Sequence, residues 1–254
     1  MSFDACEALV KSGDPDRYLS ARSAPVEGRM ALMAIYAVNL EIARAPWASQ
    51  EPLVAQMRLR WWGDEIAKIY RGEVVDSHEI LPALREVIFD HNLPQTLFDA
   101  LIDARMNDVY TAPPESRAAF DRYINATSGS VMELAARALG APESAMPVVA
   151  DFAYGAGVAN LMRATPALIA RGRAPVPEDV ATITADALSR LRAARANRTA
   201  IPKAATPALL AGWRASATLI EAQKRPEGIT AGLLEESPAR KMLSLRWRTL
   251  TGHW

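Results

Sequence analysis

The amino-acid sequence predicts an all-α protein. Through most of its 254 residues, apolar side chains recur at spacings of three and four, which is the period of one helical face. Alternating runs rich in Val, Ile and Thr, which would indicate strands, are almost absent. Half of the residues are hydrophobic, enough for one large core, so we predict a single domain over residues 1–254.

Prolines and glycines divide this periodic pattern into helices. Pro25 suits the first turn of a helix that runs to about Ala45, where Pro46 ends it. A second helix begins near Pro52 and stops at Gly72. Further helices are predicted over residues 78–92, 94–111, 116–140, 143–171 and 177–196.

The last part of the chain has a weaker pattern. Two prolines and several small residues predict a loop over 197–207, followed by a helix over 209–223. Residues 226–238 are predicted to be irregular, and a final helix begins near Ala239.

Charge and cysteine content exclude several classes of protein. The 29 basic residues balance 29 acidic ones, so no nucleic-acid partner is expected. Residues 181–254 hold twelve Lys or Arg against five Asp or Glu, a pattern of solvated surface that also suits an anionic lipid or partner. Cys6 is the only cysteine, expected in a mobile N-terminal segment, so a disulfide framework is excluded.

No segment approaches the run of about 20 apolar residues that spans a membrane, and the N-terminus does not resemble a secretion signal. We therefore expect a cytoplasmic protein that is at most peripheral on the inner membrane.

The segment AYGAGVANLMRATPAL, residues 153–168, combines small residues with two polar side chains. Gly155 and Gly157 permit close approach of another backbone or a ligand, while Asn160 and Arg163 lie three residues apart and share a helical face. Two interpretations remain open. One is a close helix–helix contact with internally satisfied polar groups, and the other is the wall of a binding site.

The segment FDALIDARMNDVY, residues 98–110, carries three acids. Asp99 and Asp103 have the spacing at which two carboxylates can share divalent cations, and Asp108 follows five residues later. Ordinary ion pairs with Arg105 or Arg117 would explain the same pattern. The sequence has no zinc-ligand spacing, phosphate-binding glycine loop or G-x-S-x-G turn.

Four segments together resemble the squalene/phytoene synthase family: RYLSARSAPVEGRMALMAIYAVNLEIAR, LIDARMNDVY, YINATSGSVMELAARALG and GAGVANLMRATP. The resemblance covers roughly residues 16–180 and is less certain over 197–254. It implies an isoprenoid-synthase-type helical bundle around a central cavity. In that family, two D-x-x-x-D motifs on facing helices bind magnesium and prenyl diphosphates, because paired carboxylates hold the cations that neutralise the diphosphate.

The first acidic motif is missing from this sequence. In the family, the helix that starts with a Tyr-Ala pair, here at Tyr36, continues through a Cys-Arg pair to the motif. The Cys-Arg pair matches Asn39 and the following Leu, and the two acids match Ala43 and Trp47. Neither of these last two side chains can bind a metal.

The second acidic motif is missing as well. The Asn-x-x-Arg sequence that precedes it in the family is present as Asn160 and Arg163, but its two acids match Ala164 and Leu168. Pro166 is expected to bend or end the helix at this point.

These matches predict no catalytic residue, no metal and no cofactor, with magnesium held by Asp99 and Asp103 as the alternative. If the cavity is filled, we expect Trp47, Leu168 and Met162 to fill it. The residues expected to line an open cavity are Tyr36, Asn39, Asp103, Asp108, Asn160 and Arg163.

The segments RYLSARSAP, YAVNLEIAR, MRLRWW and LMRATP resemble one branch of the family, that of the mitochondrial complex I assembly factor and its bacterial relatives. This implies a non-catalytic protein that binds a respiratory complex subunit or assembly protein, with an isoprenoid or membrane lipid as a further ligand. Its expected role is assembly of respiratory complex I, the NADH dehydrogenase. The alternatives are a magnesium-dependent prenyltransferase of isoprenoid biosynthesis and a carrier of an isoprenoid or quinone.

Overall fold

The computed structural model describes residues 2–49, 51–110, 112–173, 175–176 and 179–254. Across those residues the chain is helical, with fourteen α-helices and no strand, which confirms the predicted fold class. The helices are α1 (Ser2–Gly13), α2 (Pro15–Ala21), α3 (Val26–Arg44), α4 (Pro52–Tyr70), α5 (Leu81–Asp90), α6 (Gln95–Met106), α7 (Arg117–Ile124), α8 (Ser130–Ala138), α9 (Met146–Ile169), α10 (Val180–Ala196), α11 (Thr206–Leu210), α12 (Ala215–Lys224), α13 (Glu227–Thr230) and α14 (Pro238–Thr251).

Helix α9 forms the centre of the bundle and packs against α10 and α12. Gly155 allows α9 to approach α10 closely, because a Cβ atom at that position would collide with the side chain of Leu191. Gly157 has the same role on another side, where a Cβ would lie 2.6 Å from the Cβ of Ser128. The two glycines of the 153–168 segment therefore serve close packing between helical backbones.

Helix α3 is buried over most of its length because apolar side chains occupy every position from residue 31 to residue 38. Helices α1 and α8 pack against it. Cys6 and Val10 of α1 are fully buried in this contact, so the expectation of a mobile segment around Cys6 is wrong. The same burial raises the pKa of the Cys6 thiol to about 12.

The predicted helix over residues 116–140 contains a π-helical turn, Asn125–Gly129, between α7 and α8. Within this turn, the Thr127 hydroxyl donates to the Tyr123 carbonyl (2.7 Å), and the Ser128 hydroxyl donates to the Ala153 carbonyl of α9 (3.1 Å). Such turns are rare and are often found at functional sites. Thr127 and Ser128 both line the cavity described below.

The C-terminal part departs from the predicted boundaries. The helix predicted over 209–223 is divided into α11 and α12, because the turn between them brings Gly212 against Phe152, whose ring leaves no room for a side chain there. The predicted loop over 197–207 includes the start of α11, and the irregular segment over 226–238 includes α13. The core extends to Trp254, whose indole packs edge-on against Phe152 at 4.7 Å between ring centroids.

Other boundaries moved by a few residues. Helix α5 begins at Leu81 rather than at residue 78, and α6 ends in a 3₁₀ turn, Asn107–Val109. Helix α10 begins at Val180, and the predicted start at residue 177 lies outside the described residues.

Pro166 was expected to bend or end its helix, but α9 continues past it to Ile169, so Pro166 does not end the helix. A proline removes one backbone donor, and here that loss falls within the last two turns of a 24-residue helix that is buried over most of its length up to Thr165. None of the described helices is long and apolar enough to cross a membrane.

Candidate functional site

A cavity of about 360 Å³ lies between the C-terminal parts of α3 and α9. Side chains from α2, the 3₁₀ turn Asn107–Val109 and the π-helical turn complete its wall. Its volume is that of a small-molecule site. Trp47 and Leu168 lie in the wall without filling the space, and Met162 is fully buried in the core.

The four positions that match the family's acidic motifs all line this cavity: Ala43, Trp47, Ala164 and Leu168. We call them the former-motif positions. Their side chains offer no oxygen atom, whereas magnesium requires oxygen ligands. The guanidinium groups of Arg171 and Arg173 lie 5.0 and 5.9 Å from the centroid of the Trp47 ring, within the range of cation–π contact.

Asp108 is the buried acid of the cavity wall, with a side chain only 1% exposed. Arg105 and Arg173 approach its two carboxylate oxygens at 2.8 and 2.6 Å, and the Tyr123 hydroxyl donates to Oδ2 at 3.1 Å. Burial opposes the charge on Arg105, but Tyr123 and Asp108 outweigh it and raise the pKa of Arg105 above its ordinary value. Asp108 is thus held by two cations and a hydroxyl.

A second polar cluster joins the N-terminal and C-terminal parts of the chain. The Arg214 guanidinium contacts Asp16 of α2 at 2.6 Å and Glu235 at 2.9 Å. Arg163 donates to the Asn160 side-chain carbonyl at 2.8 Å and lies 3.9 Å from Asp16. Burial and the nearby Arg214 lower the pKa of Arg163.

The cavity does not fit the magnesium and diphosphate site that the family resemblance implies. Three of its described lining residues carry carboxylates, Asp14, Asp16 and Asp108, and each of the three contacts an arginine. Within the described part of the chain, no three His, Cys, Asp or Glu side chains gather as potential metal ligands. A divalent cation placed here would compete with arginine side chains for every carboxylate.

Four of the residues predicted to line the cavity do so: Asn39, Asp108, Asn160 and Arg163. Tyr36 instead lines a small adjoining pocket together with Arg17 and Asn160. Among the described residues, its buried hydroxyl has no hydrogen-bond partner. The Arg17 guanidinium lies 5.3 Å from the centroid of its ring.

The expectation that Asp103 lines the cavity is wrong. Asp99 and Asp103 are exposed on α6, and Asp103 faces a separate groove of about 690 Å³. The two acids lie on different elements, since Asp103 is within α6 whereas Asp108 lies in the 3₁₀ turn that follows it. The groove and the cavity share Tyr123, Leu161 and Arg173 as wall residues, so the two spaces adjoin.

Sequence reasoning missed five charged residues of the cavity wall: Asp14, Asp16, Arg17, Arg105 and Arg173. One signal was available. The Asp14-Pro15 pair marks a helix start, and in the structure the Asp14 side chain accepts from the Arg17 backbone N–H at 3.0 Å. Arg105 was interpreted only as an ordinary ion-pair partner, since its burial beside the cavity depends on tertiary packing.

A family model described as squalene/phytoene synthase matches residues 10–184. Among curated proteins, the chain is similar to the NADH dehydrogenase (ubiquinone) complex I, assembly factor 6 homolog of Drosophila melanogaster, with 29% identity over 186 residues, covering 69% of this chain and 54% of that protein. The corresponding assembly factor 6 of Homo sapiens is 23% identical over 177 residues, covering 69% and 53%. The chain therefore spans about half the length of the curated relatives it matches.

Two solved structures show the same fold. A dehydrosqualene synthase in complex with ligand superposes with a TM-score of 0.69 at 15% identity, covering 99% of this chain and 96% of that one. A squalene synthase from Alicyclobacillus acidocaldarius superposes with a TM-score of 0.74 at 18% identity, covering 89% and 94%. These similarities confirm the predicted isoprenoid-synthase-type bundle.

Proposed function

The chain belongs to the squalene/phytoene synthase family, and we propose that it is a non-catalytic member that acts by binding in the assembly of respiratory NADH dehydrogenase. Its partner in this proposal is a subunit of that complex or another assembly protein. The proposed location is the cytoplasm, with peripheral attachment to the inner membrane. No nucleic acid and no cofactor is part of the proposal.

The observation that carries the proposal is the chemistry of the former-motif positions. All four face the cavity, where the family's acids would bind magnesium, and none supplies a ligand atom. The carboxylates that remain in the wall contact arginines. A prenyl diphosphate would find arginine side chains there, but no set of free carboxylates to hold the magnesium that neutralises its leaving group in the family.

The names of the curated relatives support the direction of the proposal. Proteins from Drosophila melanogaster, Mus musculus and Homo sapiens that match this chain are named as complex I assembly factor 6 or its homolog. The chain covers only about half of each of these proteins, and binding by the shared part is the activity we extend to it.

An enzymatic assay tests the non-catalytic half of the proposal. The purified full chain is incubated with labelled farnesyl or geranylgeranyl diphosphate and magnesium, and the extracted lipids are separated. We expect no condensation product above the level of a heat-denatured sample. A product that disappears in an Asp103→Ala variant would refute the proposal and favour the prenyltransferase alternative, with Asp99 and Asp103 as its metal ligands.

A genetic assay tests the assembly half. Deletion of the gene in its host should reduce the amount of fully assembled NADH dehydrogenase on native gels while other respiratory complexes are retained. The wild-type gene and the Asp103→Ala variant should restore assembly equally, because binding does not need that carboxylate. Normal assembly in the deletion strain would contradict the proposal.

A second candidate function is transport of an isoprenoid or quinone. It is favoured by the cavity of about 360 Å³ and the adjoining groove of about 690 Å³, which are large enough together for a chain-like lipid. Mass spectrometry of lipids extracted from the purified protein tests it. Leu161→Trp should abolish lipid binding because Leu161 lies where the cavity and the groove meet. The matched control is Leu53→Trp, at an exposed position of α4.

A further inference from the structure

Helix α14 carries large apolar side chains on its outer face. Leu243 and Trp247 are each 69% exposed, and Leu250 is 85% exposed. Their spacing of four and then three residues places them along one stripe of the helix. Single exposed leucines are ordinary in proteins, but an exposed stripe that includes a tryptophan marks a surface with a binding role.

This stripe belongs to a docked helix and not to a loose tail. Leu245, on the opposite side of α14, packs with Leu210 and Trp213 in a small buried cluster. Gly252 ends the helix in the left-handed conformation (φ 67°), which turns the chain back so that Trp254 packs in the core. The outward direction of the stripe is therefore fixed by contacts before and after it.

The charge on α14 is entirely positive. The segment Pro238–Thr251 contains three arginines, one lysine and no acid: Arg240, Lys241, Arg246 and Arg248. Arg240 and Arg246 each lie three residues from Leu243, which places them about 60° to either side of it. Both side chains belong to exposed residues. The apolar stripe thus has an arginine on each flank, and Arg240 also forms an ion pair with Glu236 at 3.3 Å.

We propose that α14 is a lipid-binding surface that holds the protein flat against an anionic membrane. Leu243, Trp247 and Leu250 would enter the boundary between headgroups and acyl chains, and Arg240 and Arg246 would contact lipid phosphates from the two flanks. This is the arrangement of an interfacial helix, with an apolar face bordered by basic residues and a tryptophan at headgroup depth. Glu236 and Glu235, just before the helix, pair with Arg240 and Lys241, so residues 235–251 carry four basic side chains against two acids. This excess of positive charge favours an anionic lipid surface over a protein surface of mixed charge. The inference rests on the peripheral membrane attachment in the proposed function and assigns a surface to it.

Vesicle co-sedimentation tests the proposal on the full chain. Wild-type protein should sediment with vesicles of phosphatidylcholine mixed with phosphatidylglycerol, less with phosphatidylcholine alone, and less again at high salt. The variant L243S/W247S/L250S should lose about a hundredfold or more in partition coefficient, because three large apolar groups no longer leave water. R240Q/R246Q should weaken binding to the anionic vesicles only.

The matched control is L53S/M57S on α4, whose two side chains are 64% and 60% exposed in the native protein. It removes comparable apolar surface elsewhere and should bind vesicles like the wild type. Circular dichroism of all variants checks that they are folded, as expected for changes at exposed positions. Equal binding by the α14 and α4 variants, or no sedimentation of the wild type with anionic vesicles, would overturn the proposal.

Trp247 also provides a direct optical measurement. Its emission should shift to the blue on addition of anionic vesicles and be quenched by lipids brominated near the headgroup, and both effects should be lost in W247F. Sedimentation without quenching of Trp247 would show that another surface meets the lipid, which overturns the assignment to α14. Binding of α14 to a protein while vesicles fail to bind would overturn it equally. None of these outcomes depends on prenyltransferase or assembly assays.

Discussion

Replacement of Asp108 by Asn tests whether the polar cluster at the cavity wall stabilises the fold. Asn keeps the size of the side chain and one acceptor oxygen but removes the negative charge. The guanidinium groups of Arg105 and Arg173 would then lie together without the carboxylate that now separates them at 2.8 and 2.6 Å. Since the side chains of Arg105 and Arg173 are 20% and 9% exposed, water can replace the lost carboxylate only in part.

Loss of one partner from a buried ion pair costs about 3–5 kcal/mol, and partial access to water together with the remaining acceptor points to the lower end, about 3 kcal/mol. For a chain of this size each kcal/mol lowers Tm by about 2–4 °C, so Asp108→Asn should lower Tm by about 6–12 °C. The loss should also appear as a lower urea midpoint with an unchanged slope.

Differential scanning calorimetry and urea unfolding of the purified full chain measure this effect. The matched control is Glu73→Gln, which removes the acid from the exposed pair between Arg71 and Glu73 and should leave Tm unchanged. A decrease below about 2 °C for Asp108→Asn would correspond to less than about 1 kcal/mol and would refute the reasoning. It would mean that the cavity is wet enough to solvate both arginines.

Three further predictions concern other parts of the molecule. Because burial raises the pKa of the Cys6 thiol to about 12, this thiol should resist iodoacetamide in native protein at pH 8 and react fully only in denaturant. Mass spectrometry measures the modified fraction. Rapid modification of Cys6 in the native protein would contradict its buried position. The raised pKa also means that the contribution of this thiol to stability is present below pH 9.0, the ordinary value, and is lost as pH rises towards 12. Gly155→Ala should destabilise the protein by about 1–3 kcal/mol, because the Leu191 side chain must move to admit the new Cβ atom. Gly63→Ala should stabilise the protein by about 0.5–1 kcal/mol, since a Cβ atom there meets only a methyl group at 3.9 Å. Equal urea midpoints for the two variants would contradict this prediction. A variant with aspartate at all four former-motif positions should be stabilised by magnesium. Its Tm should rise by about 3–6 °C at a magnesium concentration ten times Kd, while magnesium leaves the wild-type Tm unchanged. If the Tm of the variant does not rise, these positions do not face one another as a metal site requires.

The helices could be predicted where one apolar face dictates the packing. The helix from Pro25 to Ala45 was expected within one residue of α3, because proline marks both of its ends. The N-terminal helices were missed, since α1 buries only Cys6 and Val10 fully and is amphipathic over barely three turns. The π-helical turn and the break between α11 and α12 at Gly212 both arise from contacts with α9. Such contacts between distant residues cannot be predicted from the local sequence.

The former-motif positions were predictable because the loss of an acid is visible when the sequence is matched to the family's motifs, and the same matches found Asp108 and Arg163. The arginines at positions 17, 105 and 173 were not found as wall residues. An arginine on a helix gives the same sequence pattern whether it faces solvent or a cavity. Asp103 was misplaced for a related reason: α6 ends between Asp103 and Asp108, and only the packed bundle decides which space each acid faces.

The charged side chains of the described cavity wall stabilise one another. The described wall has four arginines and three carboxylates, a nearly balanced set. A site built to hold cations would instead carry excess negative charge when empty, and repulsion between its acids would destabilise the fold until the metal bound. Here Asp108 and Asp16 neutralise arginines from distant parts of the chain, so the cavity wall contributes to stability by itself. If the proposed partner binds to the outer surface, the cavity interior can be altered without loss of that binding. Leu161→Trp should therefore restore NADH dehydrogenase assembly in a deletion strain as well as the wild type does, whereas failure of this variant to complement, with its fold intact, would move the function into the cavity and favour the lipid carrier.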